Sequence, residues 1–208
     1  MMNTPNPVDC DQILDTALHL AADKPHWEQL QLYEVADKLG ISLALLKDCY
    51  GQKDSLTDAL FDRADHAVLE HCSRERMSPL SMRQRLYLAI TTWLDTLAPH
   101  HRTVRQMLKY KLEFGHVHLQ LLGLMRISRT VQWIRQVCIC DASDGKRIIE
   151  EVVLSGIYLA TFSYWLWDES DDQQRTRNKL DRLLQGAEKG ARGLDRLWPP
   201  AIIKPRIR

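Results

Sequence analysis

Histidines and cysteines are the side chains here most able to do chemistry, with eight His and five Cys along 208 residues. His100 and His101 are consecutive, and His116 and His118 stand two apart, about 200° around a helix. Neither pair puts two imidazoles on one face, as helical metal ligands at i, i+4 spacing require. Cys10, Cys49, Cys72, Cys138 and Cys140 show neither zinc spacing nor a disulfide framework, so free thiols in a reducing cytoplasm are expected. His66 with Glu70, His71 and Glu113 gives no nucleophile or acid–base arrangement. No glycine-rich phosphate loop is present. The expectation is no enzyme, no cofactor and no metal.

The charges carry more information than these groups do. The net charge is only +1, from 28 Lys and Arg against 27 Asp and Glu, which excludes a uniformly basic nucleic-acid binder and an acidic disordered chain. Resolved along the chain, residues 1–76 carry −7, 99–139 carry +6, 140–168 carry −3 and 169–208 carry +4. In the basic block, Arg102, Arg105 and Lys109 share a helix face. Such a face suits a nucleic-acid stripe, a funnel for an anionic ligand, or pairing with the acidic 140–172 region.

The elements that must position these groups are all helical. Prolines are confined to the termini and to Pro25, Pro79 and Pro99, and no alternating strand pattern exceeds four residues. Periodicity predicts about nine helices: one from Asp9 or Asp11 to Lys24, two short ones near 31–39 and 43–50, and another over 53–74. Longer ones follow near 81–98, 101–113, 116–138, 144–167 and 171–197. The N-terminus lacks the basic and apolar regions of a signal peptide. The longest apolar run, Val152–Trp167, would span roughly 24 Å as a helix, short of a ~30 Å hydrocarbon core, so no stable membrane insertion is expected.

The stretch 32–46 has the pattern of a helix-turn-helix. Val35, Ala36 and Leu39 face inward, Gly40 makes the turn, Ile41 plugs the corner and Ser42 caps the second helix. In a DNA reader that second helix enters the major groove. With Ile13-Leu14-x-x-Ala17-Leu18 before it, Tyr50 after it, and Lys53-Asp-x-Leu-x-x-Ala-Leu-Phe61 opening the next helix, this segment resembles the N-terminal domain of the TetR (tetracycline-repressor) family of transcriptional regulators. The resemblance covers about 50 residues in register. It implies an all-α homodimer: a helix-turn-helix domain (1–52), a helical ligand-binding and dimerisation domain (53–197) and a tail (198–208).

The same resemblance implies a ligand-responsive repressor that holds double-stranded operator DNA and releases it on binding a small apolar effector. Its DNA-facing set would be Gln31, Tyr33, Ser42, Leu43, Ala44, Lys47, Asp48, Tyr50 and Lys53. Family recognition helices usually carry Tyr where Lys47 stands here, and a basic residue is common in place of Tyr33. From Asp9 to Leu56, nine acids face four Lys, a poor balance for a ligand held by cations replacing counterions. Trp93, Phe114, Met125, Trp133, Tyr158, Phe162 and Trp165 are candidates to line the effector pocket. Gly156, Ala160, Ser163, Leu180, Leu184 and Ala187 are candidates for a dimer interface between the last two long helices.

A different outcome is implied by the segment from Gly156 to Ser170 with Leu180-Asp-Arg-Leu183. These residues are loosely similar to the accessory protein of ubiquinone biosynthesis, a TetR-fold family that has lost DNA binding and holds lipid or isoprenoid. The tail, with Trp198, Ile202 and Ile203 among Arg196, Lys204, Arg206 and Arg208, suits a loose end, a docking strap or a weak membrane-surface contact.

Overall fold

The computed structural model describes residues 9–112, 117–140 and 144–197, with side chains described over 9–109, 127–140 and 147–193. Among the described residues there is no strand. The helices are α1 (Cys10–Ala22), α2 (Leu32–Leu39), α3 (Leu43–Cys49), α4 (Lys53–His71), α5 (Arg74–Met77), α6 (Met82–Leu97), α7 (His101–Leu112), α8 (Val117–Val137), α9 (Asp144–Trp165) and α10 (Gln174–Leu197). The four-residue α5 is a single turn before Pro79; the other nine are those the periodicity predicts.

Each early boundary has a local cause. Asp9 caps α1, its carboxylate accepting from the Asp11 amide at 3.3 Å. Glu34 reaches back to the Gln31 amide at 3.0 Å to fix the start of α2. Gly40 ends α2 in the left-handed region, φ 66° and ψ 31°, and the Ile41 amide donates to the Ala36 carbonyl at 3.0 Å. Ser42 Oγ then accepts from the Leu45 amide at 3.2 Å, so the chain turns and restarts as α3 within three residues.

Behind this three-helix head, α4 packs along α6, and α8, α9 and α10 complete the bundle. Ile13, Leu14, Ala17, Leu18 and Ala21 of α1 are fully buried, as their spacing predicts. Arg63 of α4 reaches Asp11 of α1 at 3.0 Å and also pairs with Asp15. Three cations of the basic block are paired: Arg105 meets Glu169 at 3.7 Å, Arg135 meets Glu151 at 3.4 Å and Arg129 meets Asp62 at 3.1 Å.

One expectation fails. Cys10 and Cys49 are joined as a disulfide, 39 residues apart with Cα atoms 5.5 Å from each other. Nothing in the spacing reveals this, because the proximity arises only when α1 and α3 pack side by side. Cys72 and Cys138 are buried free thiols.

The turn into α10 is held by Asp168. Its buried carboxylate accepts from the Ser170 amide (3.0 Å) and hydroxyl (2.6 Å), and from the Thr176 amide (2.7 Å) and hydroxyl (2.6 Å). Burial alone would raise its pKa, but these four donors outweigh it and hold the group at about 2. A lowered folded pKa gives stability that is present above the unfolded value and lost as pH falls from about 4 towards 2. Asp168→Ala should cost roughly 2–3 kcal/mol at neutral pH. Chemical denaturation of both proteins between pH 2 and 7 checks this: the gap should narrow on the acid side, and a gap that holds constant with pH contradicts it.

Candidate functional site

The exposed end of the head is built by α2 and α3. Leu46 is the one buried residue of α3, and its side chain anchors that helix to the head. The opposite face is left to solvent: Leu43, Ala44, Leu45, Lys47 and Asp48 are all exposed. Gln31, Tyr33 and Ser42 are exposed as well, so seven of the nine expected DNA-facing residues lie open to solvent.

Two do not. Tyr50 is buried and spends its hydroxyl on the Cys10 carbonyl at 2.9 Å. Lys53 donates to the Leu30 carbonyl at 2.9 Å and lies 5.1 Å from the centre of the Trp27 ring. Partial burial pushes its pKa down. Both side chains hold the head together instead of facing outward. Lys24 is likewise taken, paired with Glu34 at 2.6 Å, which lowers the Glu34 pKa. The exposed cations left on the head are Lys38 and Lys47, and among the described residues neither has an ion-pair partner.

In the bundle, four of the aromatic candidates, Trp93, Tyr158, Phe162 and Trp165, pack against one another. Trp93 stacks on Phe61 at 5.7 Å between centroids and meets Tyr158 and Phe162 edge-on at 5.2 Å each. Phe162 stacks on Trp165 at 5.8 Å. Trp133 is 43% exposed on the far side of α8 and does not join this group. Phe114 and the Met125 side chain lie outside the described residues. A cleft of about 640 Å³ opens elsewhere, where α4, α5, the end of α8 and the start of α9 meet. Arg74, Arg135 and Arg147 stand on its walls, giving it a polar and cationic character.

Beneath the aromatic stack lies a residue that sequence reading missed. Asp65 is 5% exposed and accepts from Trp93 Nε1 at 2.8 Å and from Thr130 Oγ1 at 2.9 Å. Its acid group falls at a core position of α4, between Phe61 and Val68, and that misfit in the pattern was the available signal.

The dimer candidates divide. Leu180 and Leu184 are 0% and 2% exposed inside the protomer, so they cannot meet a second copy. Gly156 and Ser163 are exposed, and Ala160 and Ala187 are half-buried. Around them α9 shows a large apolar face that the run of residues hid: Ile148, Ile149, Val152, Val153 and Tyr164 are 38–67% exposed, and Trp167, in the turn just after α9, is 73% exposed.

A solved TetR transcriptional regulator from Nitrosomonas europaea is 39% identical to this chain, with a TM-score of 0.76 over 86% of this chain and 98% of that one. The chain belongs to the TetR family. Within this TetR-family chain, residues 146–190 (most of α9 and the first part of α10) match the COQ9 family model. No curated protein matches. Among the described residues there is no cluster of potential metal ligands, and no helix is long and apolar enough to cross a membrane.

The Asp65 pocket makes a clear prediction. Burial raises its pKa against the pull of its two donors, so its contribution to stability is present below the unfolded pKa and lost as pH rises through the folded one. Asp65→Asn keeps an acceptor without the charge, and its melting temperature at pH 7 should match or exceed that of the parent. Asp65→Leu orphans the indole and hydroxyl donors and should cost roughly 2–4 kcal/mol. Thermal melts of both variants decide the point; a strongly destabilised Asn variant contradicts it.

Proposed function

We propose that this protein is a ligand-responsive regulator that binds double-stranded operator DNA as a homodimer, acting as a repressor and responding to a small apolar molecule. The observation that carries this reading is α3. A seven-residue helix with one buried residue leaves Leu43, Ala44, Lys47 and Asp48 free to face a major groove. Leu43 and Ala44 suit thymine methyls, Asp48 can accept from a cytosine amine, and Lys47 can neutralise a phosphate. Gln31, Tyr33 and Ser42 flank them with hydrogen-bonding groups. That the Nitrosomonas relative is a transcriptional regulator supports the same reading.

The dimer rests on the stripe of α9 where Ile149, Val152, Gly156, Ala160 and Ser163 recur at helical spacing, with Trp167 in the turn just beyond its end. An apolar stripe of that extent marks an interaction surface. Gly186, Gly190 and Gly193 on α10 have no atom near where a Cβ would stand, so a second copy's helix could approach closely there. Isologous pairing would join α9 and α10 of one protomer to those of its partner. Val152→Glu should shift the dimer towards monomer without unfolding it, since Val152 is 66% exposed. Sedimentation equilibrium reads this, and an undiminished dimer removes α9 from the interface.

A second reading is favoured by the COQ9 match and by the charges: with Lys24 and Lys53 tied up, the head offers DNA few cations. In that case the bundle holds lipid or isoprenoid and the head does not read DNA. Titration against DNA flanking the gene, at several salt concentrations, separates the two. The regulator should show specific retention with a steep salt slope, and Lys47→Ala, which removes one cation from each protomer of the dimer, should weaken binding and reduce that slope by about two. Absence of specific retention at low salt, together with lipid recovered by extraction and mass spectrometry, would establish the second reading instead.

A further inference from the structure

The cysteine pair has a consequence beyond holding the fold. Cys10 is the first residue of α1 and Cys49 the last of α3, so their bond closes a ring around the whole three-helix head. What else holds α3 is slight: Leu46 is its only buried side chain, and a helix of seven residues is marginal without tertiary support. Its N-terminal end is fixed by the Gly40 turn and the Ser42 cap. At its C-terminal end, the hydrogen bond from Tyr50 to the Cys10 carbonyl is the neighbouring tie. The disulfide therefore adds a covalent tie between the end of this exposed helix and the start of α1, beside the hydrogen bond from Tyr50.

The pair is also placed for exchange. Cys10 is exposed and Cys49 half-buried, whereas Cys72 and Cys138 are buried thiols. Exposed disulfides are the ones that thiols attack readily, and buried thiols are inert. We propose that Cys10 and Cys49 form a reversible redox site, oxidised by exchange with a low-molecular-weight disulfide such as glutathione disulfide, which pins α3 in place.

The chemistry balances. The Cys10 thiolate attacks one sulfur of glutathione disulfide, forming a mixed disulfide and releasing one glutathione. The Cys49 thiolate displaces the second glutathione, forming the Cys10–Cys49 bond. The two thiol protons leave on two molecules of reduced glutathione, and excess glutathione reverses both steps.

This holds whether the head reads DNA or not, and its test uses no DNA. The full chain is equilibrated in glutathione buffers of graded redox ratio, acid-quenched, alkylated and mapped by mass spectrometry. Cys10 and Cys49 should become protected together across that range, with Cys72 and Cys138 unchanged. Hydrogen exchange in parallel should show the amides of Leu45–Cys49 about tenfold slower in the oxidised protein than in the reduced one. Cys10→Ser, at an exposed position, should exchange like the reduced protein in either buffer; it stands in if Cys49→Ser fails to fold. Three outcomes overturn the proposal: a bond that persists in excess reduced glutathione, two separate glutathione adducts, or equal α3 exchange in both states.

Discussion

Trp93 is where the molecule is tied together. Its indole stacks on Phe61 of α4, meets Tyr158 and Phe162 of α9 edge-on, and donates its only N–H to Asp65. The same carboxylate accepts from Thr130 of α8. Four helices are thus bound to one another through one buried acid and one aromatic group. Burying Asp65 is unfavourable in isolation, as its raised pKa shows, and only the donors from two other helices make it tolerable. A polar contact that demands partners from several elements selects one arrangement of those elements. An aromatic core alone would leave several packings close in energy.

Helix α4 carries that arrangement to the head. Arg63 holds Asp11 and Asp15 of α1, Asp62 meets Arg129 of α8, and Asp65 sits in the core, all within one turn of the same helix. A shift of the bundle that moves α4 would move the head with it, because the ties at both ends are short and specific. At its start, Lys53 is fixed to Leu30 and Trp27. The positive charge that a DNA-binding surface would use is spent on keeping α4 against the head. The same economy applies to Lys24. This accounts for a head that keeps the shape of a reading domain while presenting few cations.

The helices and their order were legible in the sequence because their causes are local. Gly40 in the left-handed region, Ser42 as a cap and the apolar spacing of α1 act within a few residues of themselves. The faces were less legible. Leu180 and Leu184 looked like interface residues, yet the stripe they form is turned inward against the core. Ile148, Val152 and Trp167 are apolar yet exposed, which their place in the sequence did not reveal. Periodicity says that a helix has an apolar side, but not what covers it, and α9 has apolar residues on more than one side.

The sequence by itself determined an all-helical chain, a helix-turn-helix near its start and the family it belongs to, since these depend on spacing and turn chemistry over short distances. Only the tertiary structure decided the partners of the charged and reactive groups. Asp65 finds its donors 28 and 65 residues away, and Cys10 meets Cys49 across 39. Such meetings depend on how helices cross, and crossing is set by the packing of side chains from several segments at once.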